Sequence, residues 1–451
     1  MCRYMGIKRK LINTLPPSIK RALAIPYDYY QTRNADRQFA QKNLPTTQCD
    51  ESAPAHIVCV VVDALRADHI DPDTTAYLNG LNNSTAVTPG TWTFPAVSSL
   101  ISGVYPHEHG AMRQTDELSN SDGIRLPPRM DEDRITITEA LAGAGYDTYG
   151  GFGHDTPFVA LSGRFETHKL YHTINSDAED VFDDYLDWVE GRDKTFAFLH
   201  LADPHTPVDP PETYRRKYEV DDSIDGLDGW RYETEAECDR ACQRYRDHRQ
   251  RLYRASVDYV DDAISEFGEQ LDSFFEDPLL IVTADHGEAH WEHVEFDLEH
   301  FDGSGCVDHG GTPYEAVGRV PLATNADWNL EKPVSLVDIP TTVADITGVD
   351  LQDCSGYSLK EEVPSDRIML IEGSLSGHEK KAVYREQSKL IASKGHDAEF
   401  GFSLPDETVV ELSDKDYENI KSSLPPWPSE SNAETEVSGV VEDRLEQLGY
   451  K

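Results

Sequence analysis

Three stretches of this 451-residue chain, HIVCVVV (56–62), TFAFLHL (195–201) and LLIVTA (279–284), are apolar almost throughout. A strand with one wet face alternates polar and apolar residues. Runs like these fit strands buried on both faces, the arrangement of a parallel sheet covered by helices. Between them ITITEALAGAGYDTYG reads as a helix closing at glycine and then another strand. LYRASVDYVDDAISEFGEQLDSF repeats its apolar residues at intervals of three and four, the stripe of an amphipathic helix. The alternation predicts an α/β fold with a large, mostly parallel sheet sandwiched by helices. After residue 365 the texture changes to short strand-like pieces, RIMLIEG, KAVYREQSKLIASKG and TVVELSD, separated by turns. The expected organisation is a basic arm and linker (1–54), a main α/β domain (55–364), and a small C-terminal antiparallel α+β subdomain with a closing helix, VVEDRLEQLGYK (365–451).

Charge narrows the setting. The formal net charge is -42, which strains a compact chain by self-repulsion in dilute salt. At about 1 M salt the screening length falls to roughly 3 Å and the strain is largely relieved. The acidity therefore reads as adaptation to a very salty interior, of halophilic type. It also excludes nucleic acid as a general partner, because phosphate contacts need basic surface. Residues 1–26 stand apart: they contain no acid and six cations, Arg3, Lys8, Arg9, Lys10, Lys20 and Arg21. Two readings follow, peripheral contact with an anionic membrane face or packing on the chain's own acidic surface. No run reaches the roughly 18 apolar residues that cross a bilayer, and no signal-peptide core is visible, so a cytoplasmic location is expected. The seven cysteines are scattered. Only Cys238 and Cys242 are close, no second pair completes a zinc site, and structural cysteines in a reducing compartment are expected. The charged stretch 209–250 reads as a surface insertion.

In open α/β sheets, ligands bind beyond the carboxyl ends of the strands. The three apolar runs deliver polar residues there: Asp63 after the first, Asp203 and His205 (ADPHTP) after the second, Asp285 and His286 (ADHGE) after the third. One such ending caps a helix as readily as it serves chemistry. Three on one edge, with carboxylates and imidazoles, fit a metal site. Thr93 in TWTFPAVSSLISG precedes Pro95, which suits a first helical turn, and Gly103 suits the end of that helix. Its hydroxyl is either a helix cap or a group placed where backbone N–H donors and the positive end of the helix hold an anion.

Over roughly residues 55–450 the chain resembles the sulfatase branch of the alkaline phosphatase superfamily. The resemblance rests on VVVDALRADHI, SSLISGVYPHEHG, LHLADPHTP, ADHGE, HGGTPYEAVGRVPL, VSLVDIPT and the closing LEQLGY, in family order. It implies Asp63, Asp285 and His286 as metal ligands, with Thr93 at the nucleophile's position and within reach of the metal. It implies His205 and His309 near the substrate's oxyanion or leaving group, with His293 in HWEH a rival to His309. Two departures stand out. The family's C/S-x-P-x-R is TFPAV here, so Thr93 cannot become formylglycine and Val97 replaces the arginine. The usual Asp-Asp pair is Val62-Asp63, which removes one oxygen ligand.

The implied activity is metal-dependent hydrolysis of sulfate or phosphate esters through a covalent Thr93 intermediate. Phosphate mono- or diesters are favoured, because the elimination that expels sulfate from formylglycine is closed to threonine. Oxygen ligands with one imidazole suit Mn, Mg or Ca, and Zn less well. One metal is expected in preference to a second held by Asp203 and His205. The expected partner is a small-molecule, glycan or lipid ester. The alternatives are a phosphoryl transferase acting on a glycan or lipid acceptor, and a non-catalytic binder of anionic glycans.

Overall fold

The computed structural model describes residues 17–113, 126–171, 177–375 and 377–427, with 435, 441, 442 and 444; side chains are described from residue 28 onward. The three apolar runs are strands with the bounds expected of them: β1 (His56–Val62), β5 (Thr195–Leu201) and β6 (Leu279–Ala284), buried along their whole lengths. With β2 (Asn82–Val87), β3 (Asp147–Phe152), β4 (Thr167–Leu170), β9 (Arg319–Thr324) and β10 (Val334–Ser335) they form an eight-stranded sheet, ordered β10-β2-β9-β6-β1-β5-β3-β4. Strand β1 pairs in parallel with β5 on one side and with β6 on the other, and only β9 runs against its neighbours. The carboxyl ends of β1, β3, β5 and β6 therefore open on one edge.

Helices cover both faces. Helix Arg240–Phe274 contains the expected amphipathic stretch and begins well before it, capped by Asp239, whose carboxylate accepts from the Ala241 and Cys242 N–H groups. Its buried residues, among them Tyr253, Val257, Val260, Ile264, Phe267 and Leu271, return every three or four positions. A pair of two-residue strands, β7 (Ala289–His290) and β8 (Val307–Asp308), lies between the strand β6 turn and the segment carrying His309.

The C-terminal part is a separate antiparallel sheet of β11 (Ile368–Ile371), β12 (Lys380–Arg385), β13 (Ser388–Ser393), β14 (Ala398–Ser403) and β15 (Thr408–Val410), in that order. Buried Lys389 fastens it to the main domain, its ammonium 2.7 Å from Glu407 and 3.0 Å from Glu315. The loop after β11 reaches the large sheet's open edge: the Leu375 N–H donates to the Gly310 carbonyl, and the Gly310 N–H to that of Thr91. The closing helix expected at 440–451 lies largely outside the described residues.

Two findings differ from the sequence reading. A 23-residue helix, Pro17–Phe39, runs through the segment read as arm and linker. Its second half is docked through buried Ala35 and Phe39, an Asp36–His168 contact of 3.0 Å and an Asp28–Arg444 ion pair of 2.8 Å. Pro26 in its interior lacks an N–H and is a poor helix residue, so the sequence argues against continuity there. Secondly, Cys238 and Cys242 form a disulfide, where the sequence reading expects unpaired structural thiols; Cys49, Cys59, Cys306 and Cys354 are free, and Cys2 lies outside the described residues. Among the described residues no helix is long and apolar enough to cross a membrane.

Candidate active site

The structure brings Asp63, Thr93, Asp285 and His286 together at the open edge, all with no exposed surface. Asp63 follows β1, and Asp285 and His286 follow β6, so the pairing of these neighbouring strands fixes the carboxylates side by side. The next residue after Asp63, Ala64, is held at φ 61°, a left-handed conformation that L side chains rarely adopt. Such strain persists where surrounding contacts over-determine it, often at functional sites.

Thr93 opens the helix Thr93–Ser102, which ends at Gly103 with φ 72°. The N-cap is Trp92, without a side-chain cap bond. The Thr93 hydroxyl lies 3.3 Å from His286 Nε2. Its partner is thus the site residue from the turn after β6.

Hydrogen bonds settle the tautomers. His286 Nδ1 sits 2.9 Å from the Gly287 carbonyl, which can only accept, so the proton is on Nδ1 and Nε2 presents a lone pair. That nitrogen is 3.3 Å from Asp63 Oδ1 and 3.7 Å from Asp285 Oδ2. Gly287 is obligatory in this turn, since a Cβ there would stand 2.1 Å from the Ala316 carbonyl oxygen.

Two imidazoles that the sequence reading missed back this group. His154, one residue beyond the glycine that follows β3, accepts the Thr156 N–H on Nδ1 and so carries its proton on Nε2, 2.5 Å from Asp63 Oδ2. His200, within β5, approaches Asp285 Oδ2 at 3.3 Å. The two rings occupy one oxygen of each carboxylate from behind. Asp63 Oδ1 remains buried without a hydrogen-bond partner and faces His286.

Electrostatics point the same way. Burial, with Asp285 next door, pushes the Asp63 carboxyl well above the carboxylate range. Burial also drives His286 down to about 4 and His154 well below its ordinary value, so both are neutral at neutral pH. Two buried carboxylates and a lone-pair nitrogen converging on one point are an unfavourable grouping unless a cation lies among them. Asp63, Asp285 and His286 fit a divalent metal by donor type and arrangement, and they form one of the clusters with ligand atoms mutually within 4.8 Å.

Asp203, considered in the sequence reading for a second metal with His205, turns elsewhere. Its Oδ1 accepts from the Ser256 hydroxyl at 3.0 Å, and it belongs to no His/Cys/Asp/Glu cluster able to hold an ion among the described residues. Burial raises its carboxyl to about 7. A carboxyl raised above its unfolded value leaves stability intact below about pH 4 and withdraws it as pH climbs toward 7. Asp203→Asn should therefore raise the melting temperature at pH 8, by a stabilisation on the order of 2–4 kcal/mol, and not at pH 4. Thermal unfolding at the two pH values checks this; equal melting temperatures for variant and parent at pH 8 contradict it.

His205 and His309 flank the centre, with ring centroids 4.9 Å apart. His309 stacks on His286 at 4.2 Å. Its Nδ1 lies 2.8 Å from Asp308 and 3.1 Å from Glu288, and these carboxylates outweigh burial and hold its pKa well above the ordinary value. His205 instead has Nδ1 2.5 Å from the Thr206 carbonyl, and burial lowers it to about 3. The rival His293 is placed elsewhere, stacked on Tyr314 with Nε2 2.9 Å from Glu407 of the C-terminal sheet.

This constellation lies within residues 55–349, which match the family model described as Sulfatase. The chain belongs to the sulfatase family. An arylsulfatase of Clostridium perfringens is 27% identical over 206 residues, 40% of this chain and 40% of that protein, so the match spans well under half of that relative. Among solved structures, one in complex with its substrate D-glucosamine-2-N,6-O-disulfate superposes with a TM-score of 0.63 at 14% identity, covering 88% of this chain and 98% of the other. A phosphonate monoester hydrolase of Agrobacterium radiobacter gives 0.59 at 15% identity, over 82% and 93%. At these identities the structural likeness concerns the fold, including the alkaline phosphatase-like sheet.

Proposed function

We propose that this chain hydrolyses phosphate or sulfate esters by direct attack of Thr93, with phosphate esters favoured. The observation that carries the reading is the Thr93 hydroxyl lying 3.3 Å from His286 Nε2, beside the buried cluster of Asp63, Asp285 and His286. Asp63, Asp285 and His286 would hold a divalent cation. Bound there, it supplies positive charge that lowers the pKa of the Thr93 hydroxyl and offsets charge developing on the ester oxygens.

The chain's own residues do the rest. The hydroxyl proton goes to solvent, and Thr93 Oγ bonds to phosphorus as the ester P–O bond breaks. Backbone N–H groups in the first turn of Thr93–Ser102 face the non-bridging oxygens. His309 is the group suited to protonate the departing alcohol, because Asp308 and Glu288 pair with its charged form. Water then releases Thr93. A glycan or lipid ester is the substrate class that we favour, and the sulfated glucosamine bound by a structural neighbour supports the glycan choice.

Turnover of aryl phosphate monoester, diester and aryl sulfate in molar salt, with and without added Mn, Mg or Ca, tests the reading. Release from at least one phosphate ester only in the presence of metal is expected. Sulfate release with inert phosphate esters reverses the phosphate preference, and inactivity toward all three removes the hydrolase assignment.

The acid-free segment 1–26 adds a proposed site of action, the anionic face of a cytoplasmic membrane. Tyr29 and Tyr30, 63% and 60% exposed on the docked helix, suit a membrane interface, where tyrosine is enriched. The full chain should float with anionic vesicles and a chain lacking residues 1–26 should not. Equal flotation of the two contradicts this.

A further inference from the structure

Resting on the hydrolase reading above, we propose that Arg249 is the positioning residue for the leaving-group side of the reaction, holding His205 through Thr206 and His309 through Glu288. Arg249 comes from the charged segment read as a surface insertion, yet it is fully buried. Its guanidinium carbon lies 4.3 Å from the centre of the Trp230 ring, and its Nε donates to the Gly229 carbonyl at 3.2 Å. Both contacts belong to the same insertion and fix the side chain's direction.

From there Arg249 reaches toward the open edge. Its Nη2 donates to Thr206 Oγ1 at 3.1 Å, and Thr206 is the residue whose carbonyl takes the His205 Nδ1 proton. The same Nη2 is 3.8 Å from Glu288 Oε2, while Glu288 Oε1 is 3.1 Å from His309 Nδ1. One guanidinium thus stands a single residue behind each of two imidazoles whose rings are 4.9 Å apart. Among the described residues it is the one Lys or Arg ion-paired with Glu288.

The need for a cation here follows from the local charges. His309 lies between two carboxylates, Asp308 and Glu288. Arg249 offsets the charge of the second from 3.8 Å, on the side of Glu288 away from His309. An arginine buried merely to fill space would be replaceable by an apolar side chain of equal volume at no cost to chemistry.

The test uses the full chain with divalent metal and a series of aryl phosphate monoesters graded by the acidity of the alcohol released. Arg249→Gln should lower kcat by about 10–100-fold for phenol-like leaving groups, part of the roughly 10²–10⁴-fold that general acid catalysis supplies. It should act several-fold at most on nitrophenol-like ones, which leave without a proton. Arg249→Lys should recover part of the loss. Thr206→Val, which cuts only the contact toward His205, should steepen the same dependence less. Bound metal per chain should stay unchanged in all three variants. Equal loss across the series, or loss of metal, overturns the proposal in favour of a structural role. Wild-type protein inert toward every ester would instead remove the hydrolase reading. In that case the downfield imidazole N–H signals of His205 and His309, read by proton NMR with nitrogen-labelled histidine, still decide the contacts: Arg249→Gln should shift both, and unshifted signals overturn them.

Discussion

Thr93→Ala should abolish turnover, by about 10³-fold or more, while leaving the fold in place. Losing the attacking group removes the covalent route entirely, and single deletions of a nucleophile in acyl-transfer enzymes cost far more than the deletion of one binding contact. The effect on stability should be small. Loss of one buried hydroxyl with hydrogen-bond partners is worth about 1 kcal/mol, and Trp92, rather than Thr93, occupies the cap. Thr93→Ser should retain measurable activity, since its hydroxyl can reach the same position. Steady-state kinetics beside a thermal melt separate the two roles. A capping residue would give the opposite result, with a lowered melting temperature and near-normal turnover.

Removing the cation should have an effect of similar size. Chelation is expected to stop turnover and lower the melting temperature, and readdition of a divalent ion to restore both. At 100 times its dissociation constant an ion stabilises the folded state by about 2.7 kcal/mol. The pH dependence has a definite sign. In the metal-free fold Asp63 is raised well above its ordinary value by burial and by Asp285. Stability is therefore intact below the unfolded carboxylate pKa and declines as pH rises through the folded one. A bound cation offsets that decline, so the gain in melting temperature on adding metal should be larger at pH 8 than at pH 5. Asp63→Asn should lose both metal binding and this pH-dependent gain. Melts with and without metal at the two pH values, run beside kinetics, check it.

The core of the sheet was legible because β1, β5 and β6 are buried on both faces and so carry apolar residues without interruption. Their carboxyl ends then marked Asp63, Asp285 and His286, since a polar residue directly after such a strand must emerge at the open edge. His200 escaped notice for the same reason: inside TFAFLHL it reads as strand body. His154 follows DTYGGF, where two glycines dilute the strand signal, and only the pairing of β3 with β5 brings it to Asp63. Arg249 could not be singled out among the charges of 209–250. The neighbours that bury it, Trp230 and Glu288, lie 19 and 39 positions away, and one of them belongs to another element. Long-range partners of this kind leave no periodic trace in a single sequence.

Mass spectrometry of the chain quenched in acid during turnover of a phosphate ester bears most directly on the attack by Thr93. One phosphoryl group should be found on the peptide that spans Thr91–Ala111, localised to Thr93 and absent when metal is withheld. Continued turnover by Thr93→Ala, with no modification of that peptide in the parent, would contradict the account.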